Sequence, residues 1–177
     1  LIYVIGGAGT KENIWGDVWT VETYNINTNK WKRINDLPQL LFGTAAVVVN
    51  KEIIVLGGQT LIDGDDDTSK KVFIYKPKYC QWIETSPLPI KNVFFACSTI
   101  GNKIYVIGGE ICPCDSSNAS NGSSIKTVEE YDIASDSWSS KSDMSTSRSK
   151  HASVIYNNKI YVMGGVTISG SSTLLSS

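Results

Sequence analysis

The stretch Lys103-Ile104-Tyr105-Val106-Ile107-Gly108-Gly109 recurs in similar form along the chain and decides the fold. Four apolar runs end in a double glycine, and the pairs are Gly6 and Gly7, Gly57 and Gly58, Gly108 and Gly109, and Gly164 and Gly165. Their first glycines are separated by 51, 51 and 56 residues (57−6, 108−57 and 164−108). Periods of about 20 to 50 residues indicate a repeat architecture in which each unit packs on its neighbours.

Each interval also contains a tyrosine followed seven residues later by a tryptophan. The pairs are Tyr24 and Trp31, Tyr75 and Trp82, and Tyr131 and Trp138. Each tryptophan precedes the first glycine of the next pair by 26 residues (57−31, 108−82 and 164−138). The additional residues of the third interval therefore lie between its double glycine, Gly108 and Gly109, and Tyr131. This segment is predicted to be a loop, because loops absorb insertions without disturbing packed elements.

The sequence of each repeat unit predicts four short antiparallel strands and almost no helix. The strands are the run before the double glycine, the tyrosine run, the tryptophan run and a later run such as 44–49. The later runs turn back through Asn50-Lys51, Gly101-Asn102 and Asn157-Asn158, and Asn and Gly tolerate the positive φ of tight hairpins. Units of four strands that cannot bury their faces alone are typical of propeller blades. The glycines are predicted to mark close approaches, and the aromatic pairs to fill contacts between blades.

Segments of the third copy resemble the kelch repeat family. They are Ile104-Tyr105-Val106-Ile107-Gly108-Gly109, Val128-Glu129-Glu130-Tyr131-Asp132, Trp138, and Met144-Ser145-Thr146-Ser147-Arg148-Ser149-Lys150-His151-Ala152. The resemblance covers residues 1–165 and implies an all-β fold of kelch-type β-propeller blades with four antiparallel strands each. Copies one and two depart from the third copy at 39–42 and 90–93.

The length predicts about three and a half blades, a fragment of the six-bladed propeller that the resemblance implies. A small domain that closes by oligomerising is the alternative, and it would need a partner chain to cover its open sheet edges. The Ser/Thr-rich residues 166–177 are expected to form a poorly ordered tail.

The charge balance argues against two classes of partner. The chain has 16 Lys+Arg and 17 Asp+Glu, a net charge of -1. Such a balance gives no field that would attract nucleic acid or an anionic membrane surface. The apolar runs are also far shorter than the roughly 20 residues of a membrane-spanning helix. We therefore predict that the chain binds neither nucleic acid nor membrane.

The cysteines favour a reduced compartment and a cytoplasmic location. Cys80, Cys97, Cys112 and Cys114 are too sparse for a disulfide framework. Two glycosylation sequons begin at Asn118 and Asn121, and their use would place the protein outside the cell.

The resemblance implies that partners bind at one face, to the loops that follow the double-glycine and tryptophan strands. The first group of loops is 8–16, 59–70 and 110–126, and the second is 35–42, 85–93 and 141–150. The candidate partner-binding residues in these loops are Asp63, Asp65, Asp66, Asp67, Arg148, Lys150 and His151.

These candidates form an acidic group of four aspartates and a basic group of Arg148, Lys150 and His151, and each group has more than one interpretation. The acidic run loosely suggests a Ca²⁺ loop but lacks the rest of an EF-hand pattern. It could instead be a solvated loop or a dock for a basic partner segment. Arg148 could bind a partner carboxylate through its planar fork, or could make internal bonds near the propeller axis together with His151.

No constellation for catalysis is evident, so we predict a non-enzymatic protein without a metal or cofactor. Cys112-Pro113-Cys114 could be half a zinc site, a redox pair or a disulfide, but a structural zinc needs about four ligands. His151 is the only histidine, and no Ser or Cys lies in a nucleophile motif. Some kelch-type propellers are copper radical oxidases or sialic acid epimerases. The two His and two Tyr ligands of the oxidases cannot be assembled from His151 alone.

The resemblance therefore favours an interaction module that binds a partner peptide through its loop face. In many resembling proteins a BTB or F-box domain links the captured partner to a ubiquitin ligase, a role implied here by resemblance alone. A secreted or sugar-active propeller, either an enzyme or a carbohydrate binder, is the alternative.

Overall fold

The computed structural model describes residues 1–11, 14–62, 65–111, 122–169 and 171–174, and every regular element in these ranges is a β-strand. The strands are β1 (Ile2–Ile5), β2 (Ala8–Lys11), β3 (Ile14–Asp17), β4 (Val21–Asn25), β5 (Lys30–Arg33), β6 (Ala45–Val49), β7 (Glu52–Leu56), β8 (Gln59–Ile62), β9 (Asp65–Thr68), β10 (Val72–Lys76), β11 (Gln81–Thr85), β12 (Ala96–Ile100), β13 (Lys103–Ile107), β14 (Glu110–Ile111), β15 (Ser123–Ser124), β16 (Val128–Asp132), β17 (Ser137–Lys141), β18 (Ala152–Tyr156), β19 (Lys159–Met163), β20 (Val166–Ser169) and β21 (Ser171–Leu174).

Four antiparallel sheets form successive blades, as the sequence predicts. Blade 2 has the strand order β6-β7-β10-β11, and blade 3 has the order β12-β13-β16-β17. Blade 1 contains β1, β4 and β5, and blade 4 contains β18 and β19. The sequence repeat and the blade are out of phase, because the last strand of each repeat becomes the first strand of the next blade.

The first strands of blades 2, 3 and 4 lie side by side around the propeller axis. β12 contacts both β6 and β18, whereas the tryptophan strands β5, β11 and β17 form the opposite edges of their sheets. The predicted hairpin turns join the inner strands to their neighbours. Asn50 and Lys51 have φ values of 51° and 66°, and Asn157 and Asn158 have 48° and 58°. Positive φ at both central residues is the geometry that matches strand twist in two-residue hairpins.

The hydrophobic core lies between blades rather than within one blade. Alternate residues of β7 point to opposite sides, as the two-residue period of a strand requires. Ile53 and Val55 belong to the cluster shared with blade 1, whereas Ile54 and Leu56 belong to the cluster shared with blade 3. All four side chains are buried, which explains why this strand is apolar without alternation.

The segments after the double glycines differ from the sequence prediction. Their described residues form the strand pairs β2–β3, β8–β9 and β14–β15 rather than irregular structure. The tail predicted from residue 166 forms the equivalent hairpin, β20–β21, up to Leu174. Backbone pairing explains the difference, because strands of Ser and Thr can exchange ladder hydrogen bonds without an apolar face. Val166 also bridges to Ser149 in the preceding connection.

Candidate functional site

Backbone bridges hold both groups of loops at the same end of the blades. In each unit a residue of the connection that follows the tryptophan strand pairs with the residue after the double glycine. The bridged pairs are Phe42 and Gln59, Val93 and Glu110, and Ser149 and Val166. Each bridge has two N–H···O=C bonds of 2.9 to 3.1 Å. The surface made by the hairpins after the double glycines and by 35–44, 86–95 and 142–151 is called the loop face below.

The first glycine of a pair makes room for the connection that crosses beneath it. A Cβ at Gly108 would lie 2.6 Å from the Arg148 carbonyl oxygen and 2.9 Å from the His151 and Met144 side chains. Gly108 also has a φ of 57°, which favours glycine. The repeat of Gly-Gly is therefore explained by packing of the loop face, not by chemistry.

The second glycine of a pair makes room for the connection of the preceding blade. A Cβ at Gly58 would lie 2.5 Å from Thr44 Cγ2 and 2.9 Å from the Phe42 carbonyl oxygen. A Cβ at Gly165 would lie 2.6 Å from the Ser149 carbonyl oxygen, and one at Gly109 would overlap the Asn92 side chain. These three positions confirm the predicted close approaches.

Two glycines of the repeat differ from that prediction. A Cβ at Gly7 or at Gly164 would meet no atom within 4 Å, so no close approach marks these positions. The reason is their place at the two ends of the array. Among the described residues no connection precedes Gly7, and none follows Gly164 to cross beneath it. Both glycines nevertheless keep a positive φ, of 117° and 68°.

In blades 2 and 3 the residue before the bridge contacts the next double glycine. It is Asn92 in the connection of blade 2 and Arg148 in that of blade 3, ten residues after the tryptophan in both (92−82 and 148−138). Asn92 Nδ2 donates to the Gly108 carbonyl oxygen at 2.8 Å, and Asn92 Oδ1 accepts from the Glu110 N–H at 3.0 Å. Arg148 Nη1 donates to the Gly164 carbonyl oxygen at 2.8 Å. The two side chains therefore brace the next double glycine.

The residue that follows each bridge has a positive φ, whatever its type. These residues are Gly43, Phe94 and Lys150, with φ values of 64°, 55° and 55°. Their backbones form a chain from blade to blade. The Phe94 N–H donates to the Gly43 carbonyl oxygen at 3.1 Å, and the Lys150 N–H donates to the Phe94 carbonyl oxygen at 2.8 Å.

Arg148, Lys150 and His151 thus lie together where blade 3 passes into blade 4. Lys150 Nζ lies 4.8 Å from the Phe94 ring centroid and 4.0 Å from Glu110 Oε2. The internal bond of Arg148 agrees with one of its two sequence interpretations, and binding of a partner by these residues stays a prediction.

His151 is a half-buried residue whose ring nitrogens are both covered. Burial, and after it the Arg148 charge, lower its pKa to about 4, and together they outweigh the opposing effect of the Ile107 backbone. Neither ring nitrogen has a hydrogen-bond partner. The ring is therefore neutral at physiological pH, and it acts as packing between the glycine pairs.

The acidic run lies in a different blade from this basic cluster. Asp65, Asp66 and Asp67 belong to β9, in the hairpin of blade 2, while Asp63 lies outside the described residues. Their backbones form a strand that pairs with β8, and their role in binding stays a prediction.

Sequence reasoning missed three residues of the loop face. Asn92 and Glu110 are buried polar side chains, and Phe94 is a half-buried ring with a strained backbone. Phe94, Gly43 and Lys150 lie at the same distance after their tryptophans, so the repeat aligns them. Gly43 is the only one of the three whose residue type indicates a positive φ at this position.

The described residues contain no group of three or more His, Cys, Asp or Glu side chains that could hold a metal ion. Cys80 and Cys97 are free thiols, and burial raises the pKa of Cys97. Cys112 and Cys114 lie outside the described ranges, as do the sequon residues Asn118 and Asn121. No helix long and apolar enough to cross a membrane occurs in the described part of the chain.

Comparison with known proteins identifies relatives of this architecture. The model of the Attractin/LZTR1 beta-propeller family matches residues 1–174. Alpha-scruin of Limulus polyphemus is 28% identical over 94% of this chain and 18% of that protein. Kelch-like protein 15 of Homo sapiens is 29% identical over 71% of this chain and 19% of that protein. Kelch repeat and BTB domain-containing protein 2 of cowpox virus (strain Brighton Red) is 28% identical over 90% of this chain and 26% of that protein.

The structure of YjhT has the same fold, with a TM-score of 0.79 and 21% sequence identity. The match covers 95% of this chain and 57% of that chain. This chain spans between 18% and 26% of the length of the three relatives named above. Because the family model covers nearly all of the chain, and because the sheets have the predicted blade architecture, the chain belongs to the Attractin/LZTR1 beta-propeller family and is a kelch-repeat protein.

Proposed function

We propose that this chain is a non-catalytic, protein-binding part of a kelch-type propeller, and that its loop face holds a peptide segment of another protein. The bridging of the two loop groups at one end of the blades carries this proposal. It presents several loops together on a rigid scaffold, the arrangement in which binding residues concentrate. The near-neutral net charge of -1 supports a protein partner over nucleic acid or a membrane surface.

The proposed wider role is substrate recognition for a ubiquitin ligase in the cytoplasm. Two kelch-named relatives support it, and the name of the cowpox virus protein includes a BTB domain. In this role the loop face holds the substrate, while a domain outside these 177 residues binds the ligase.

Site-specific photo-crosslinking of the full-length protein tests the binding face. A photoreactive amino acid replaces Ser145 or Pro89, which are exposed in two loop-face connections, or Tyr79, which is exposed in the β10–β11 turn. We expect the same partner protein to be crosslinked from Ser145 and from Pro89 but not from Tyr79. Once purified, that partner should also bind the full-length protein without a crosslinker. Equal capture from all three positions would contradict the assignment of the loop face.

Two further measurements test the wider role. Depletion of the protein should lower ubiquitination of the crosslinked partner, and unchanged ubiquitination would contradict the adaptor role. Mass spectrometry of the native protein should find Asn118 and Asn121 without sugar. Glycans at either site would place the protein outside the cytosol and exclude a cytoplasmic adaptor.

A further inference from the structure

Trp19 is a large, exposed aromatic residue at the rim of the loop face. It lies in the short segment that joins the β2–β3 hairpin to β4, and it is 49% exposed. The Leu37 N–H donates to the Trp19 carbonyl oxygen at 2.8 Å, which holds this segment against the connection 35–44. Tryptophan is highly buried on average, because its ring has a large apolar area. The exposure of this ring therefore needs an explanation.

The position of Trp19 is exposed even in blades that have a neighbour on each side. In each unit the carbonyl oxygen at this position accepts an N–H from the connection of the same blade, eighteen residues further on (37−19, 88−70 and 144−126). The equivalents of Trp19 are Lys70 in blade 2 and Lys126 in blade 3, and both are exposed. The exposure of Trp19 is therefore a property of its place in the blade, not an effect of its being in the first blade.

The lysines at this position bond to the connection of their own blade, whereas Trp19 does not. Lys70 Nζ donates to the Pro89 carbonyl oxygen at 2.7 Å, and Lys126 Nζ pairs with Asp143 Oδ2 at 3.5 Å. In the described part of the chain the Trp19 indole N–H finds no acceptor. The tryptophan thus does not replace the contact of the lysines, and its N–H is available to a ligand.

The charged groups beside Trp19 neutralise each other. The residues that the lysines contact correspond in blade 1 to Asp36 and Pro38, five and seven residues after the tryptophan of β5 (36−31 and 38−31). Arg33 donates to both carboxylate oxygens of Asp36, at 3.0 and 2.6 Å, and Pro38 is exposed. An exposed ring beside a closed ion pair favours an uncharged, apolar occupant over an ionic one.

We propose that Trp19 binds a proline of the partner peptide, whose ring stacks on the indole while a backbone carbonyl of the peptide accepts the indole N–H. This inference rests on the proposed function, since it assumes a peptide on the loop face. Proline suits an exposed flat ring, because its own ring is already rigid and little conformational freedom is lost on binding. Aromatic surfaces recognise proline-rich segments in this way. Tryptophan is also among the residues that most often dominate the energy of an interface.

Selection of random phage-displayed peptides on the full-length protein provides the probe. We expect the enriched peptides to share a proline. The dissociation constant of a synthetic enriched peptide, measured by fluorescence anisotropy, should rise about tenfold or more in Trp19→Lys. Because blades 2 and 3 have a lysine at this position, the melting temperature of the variant should stay within about 2 °C of that of the wild type. A loss of affinity could then not be attributed to unfolding.

Tyr79→Lys is the matched control. Tyr79 is 65% exposed, but it lies in the β10–β11 turn, outside the loop face. This variant should leave the dissociation constant unchanged. Peptides that lack proline, or that bind wild type and Trp19→Lys equally, would overturn the inference and leave the proposed function standing.

Two further outcomes separate this inference from the proposed function. If the wild type bound a glycan array and Trp19→Lys did not, the ring would belong to a carbohydrate site and the inference would be wrong. The absence of any enriched peptide would count against both the inference and the proposed function.

Discussion

His151 occupies the repeat position that Phe95 fills one blade earlier, thirteen residues after the tryptophan (151−138 and 95−82). The two rings pack against Gly108 and Gly57 respectively. A phenylalanine brings no ionisable group to this site, whereas the histidine brings two ring nitrogens that find no hydrogen-bond partner. We therefore expect the contact between blades 3 and 4 to depend on pH, unlike its equivalent one blade earlier.

We expect acidification to destabilise the protein through His151. Its pKa is lowered from 6.5 to about 4 in the folded state, so the unfolded chain binds the proton first as the pH falls. The stabilisation is complete above pH 6.5 and is lost between 6.5 and about 4, by roughly 1 to 2 kcal/mol for a partly covered ring. His151→Phe should remove this part of the pH dependence of the free energy of unfolding, measured with urea. Parallel pH profiles for the two proteins would show that the ring is not titrating in this way.

Glu130 is a second residue whose ionisation affects stability. In contrast to His151, its charged form is the one that the folded state favours. Its carboxylate is 8% exposed, and it forms ion pairs with Lys103 and, at 3.2 Å, with Lys141 on the two flanking strands. The hydrogen bond from Lys103 is the main cause that lowers its pKa from 4.5 to about 2, against the opposing effect of burial. The folded state therefore prefers the ionised carboxylate.

Glu130→Gln should cost stability at neutral pH and little at strongly acidic pH. A lowered acid pKa contributes stability above 4.5, and this contribution is lost as the pH falls to about 2. We expect a loss of about 1 to 2 kcal/mol at neutral pH, reduced by solvent screening of the half-exposed lysines. Glu84→Gln is the control, because the pair of Glu84 and Lys71 is exposed and should contribute less than about 0.5 kcal/mol. Equal losses in the two variants, in urea unfolding at both pH values, would contradict the argument.

At the scale of elements, the tryptophan strands of blades 2 and 3 are each fixed to the blade before them. Trp138 Nε1 donates to the Ser86 carbonyl oxygen at 3.2 Å. In the turn before this strand, Asp136 accepts hydrogen bonds from Thr85 Oγ1 at 2.7 Å and from Tyr131 Oη. The Tyr131 and Trp138 rings stack at 4.8 Å between centroids. The aromatic pair is formed within one blade, and its polar groups join it to the neighbouring blade.

The equivalent tryptophans should therefore differ in their contribution to stability. Trp138→Ala removes ring packing and the bond to Ser86, and we expect it to cost about 2 to 4 kcal/mol, somewhat below the value for a fully buried ring. Trp31 is 56% exposed because no preceding blade covers it in this structure. Trp31→Ala in the 177-residue chain should cost less than about 1 kcal/mol. If Trp138→Ala and Trp31→Ala lowered the free energy of unfolding by similar amounts, the hydrogen bond between Trp138 and Ser86 would contribute little to stability.

The strands of the blades could be predicted from sequence because their markers recur. Gly-Gly, Tyr and Trp keep both type and spacing, since each meets the same backbone and packing constraints in the interior blades. The loop face was harder to predict, because it shares backbone conformation but not residue type. Leu41, Asn92 and Arg148 hold one position of the repeat, and among them only Arg148 is predicted from the sequence to bind a partner. Amide and guanidinium side chains can each brace a glycine pair, so no residue pattern indicates the role.

At the scale of the whole molecule, the two end blades expose the faces that interior blades bury. Val4 and Val55 occupy the same repeat position, two residues before the double glycine, and they are 47% and 0% exposed. At the other end Tyr161 and Met163 are 45% and 47% exposed. Units that share their core with neighbours gain stability mainly from the interfaces, so the end blades should be the least stable part of the 177-residue chain.

A pair of substitutions at the same repeat position tests this distribution of stability. In the 177-residue chain we expect Val55→Ala to cost about 2 kcal/mol, because it leaves a cavity between blades 1 and 2. Val4→Ala should cost less than about 0.5 kcal/mol, because water already reaches that side chain. The chemistry, the strand and the position within the repeat are identical in the two variants, so the difference isolates the missing neighbour. Urea unfolding gives both values, and it should be repeated at several protein concentrations. If Val4→Ala proved as destabilising as Val55→Ala, and the more so at higher concentration, the exposed face of β1 would be covered by a second copy of the chain.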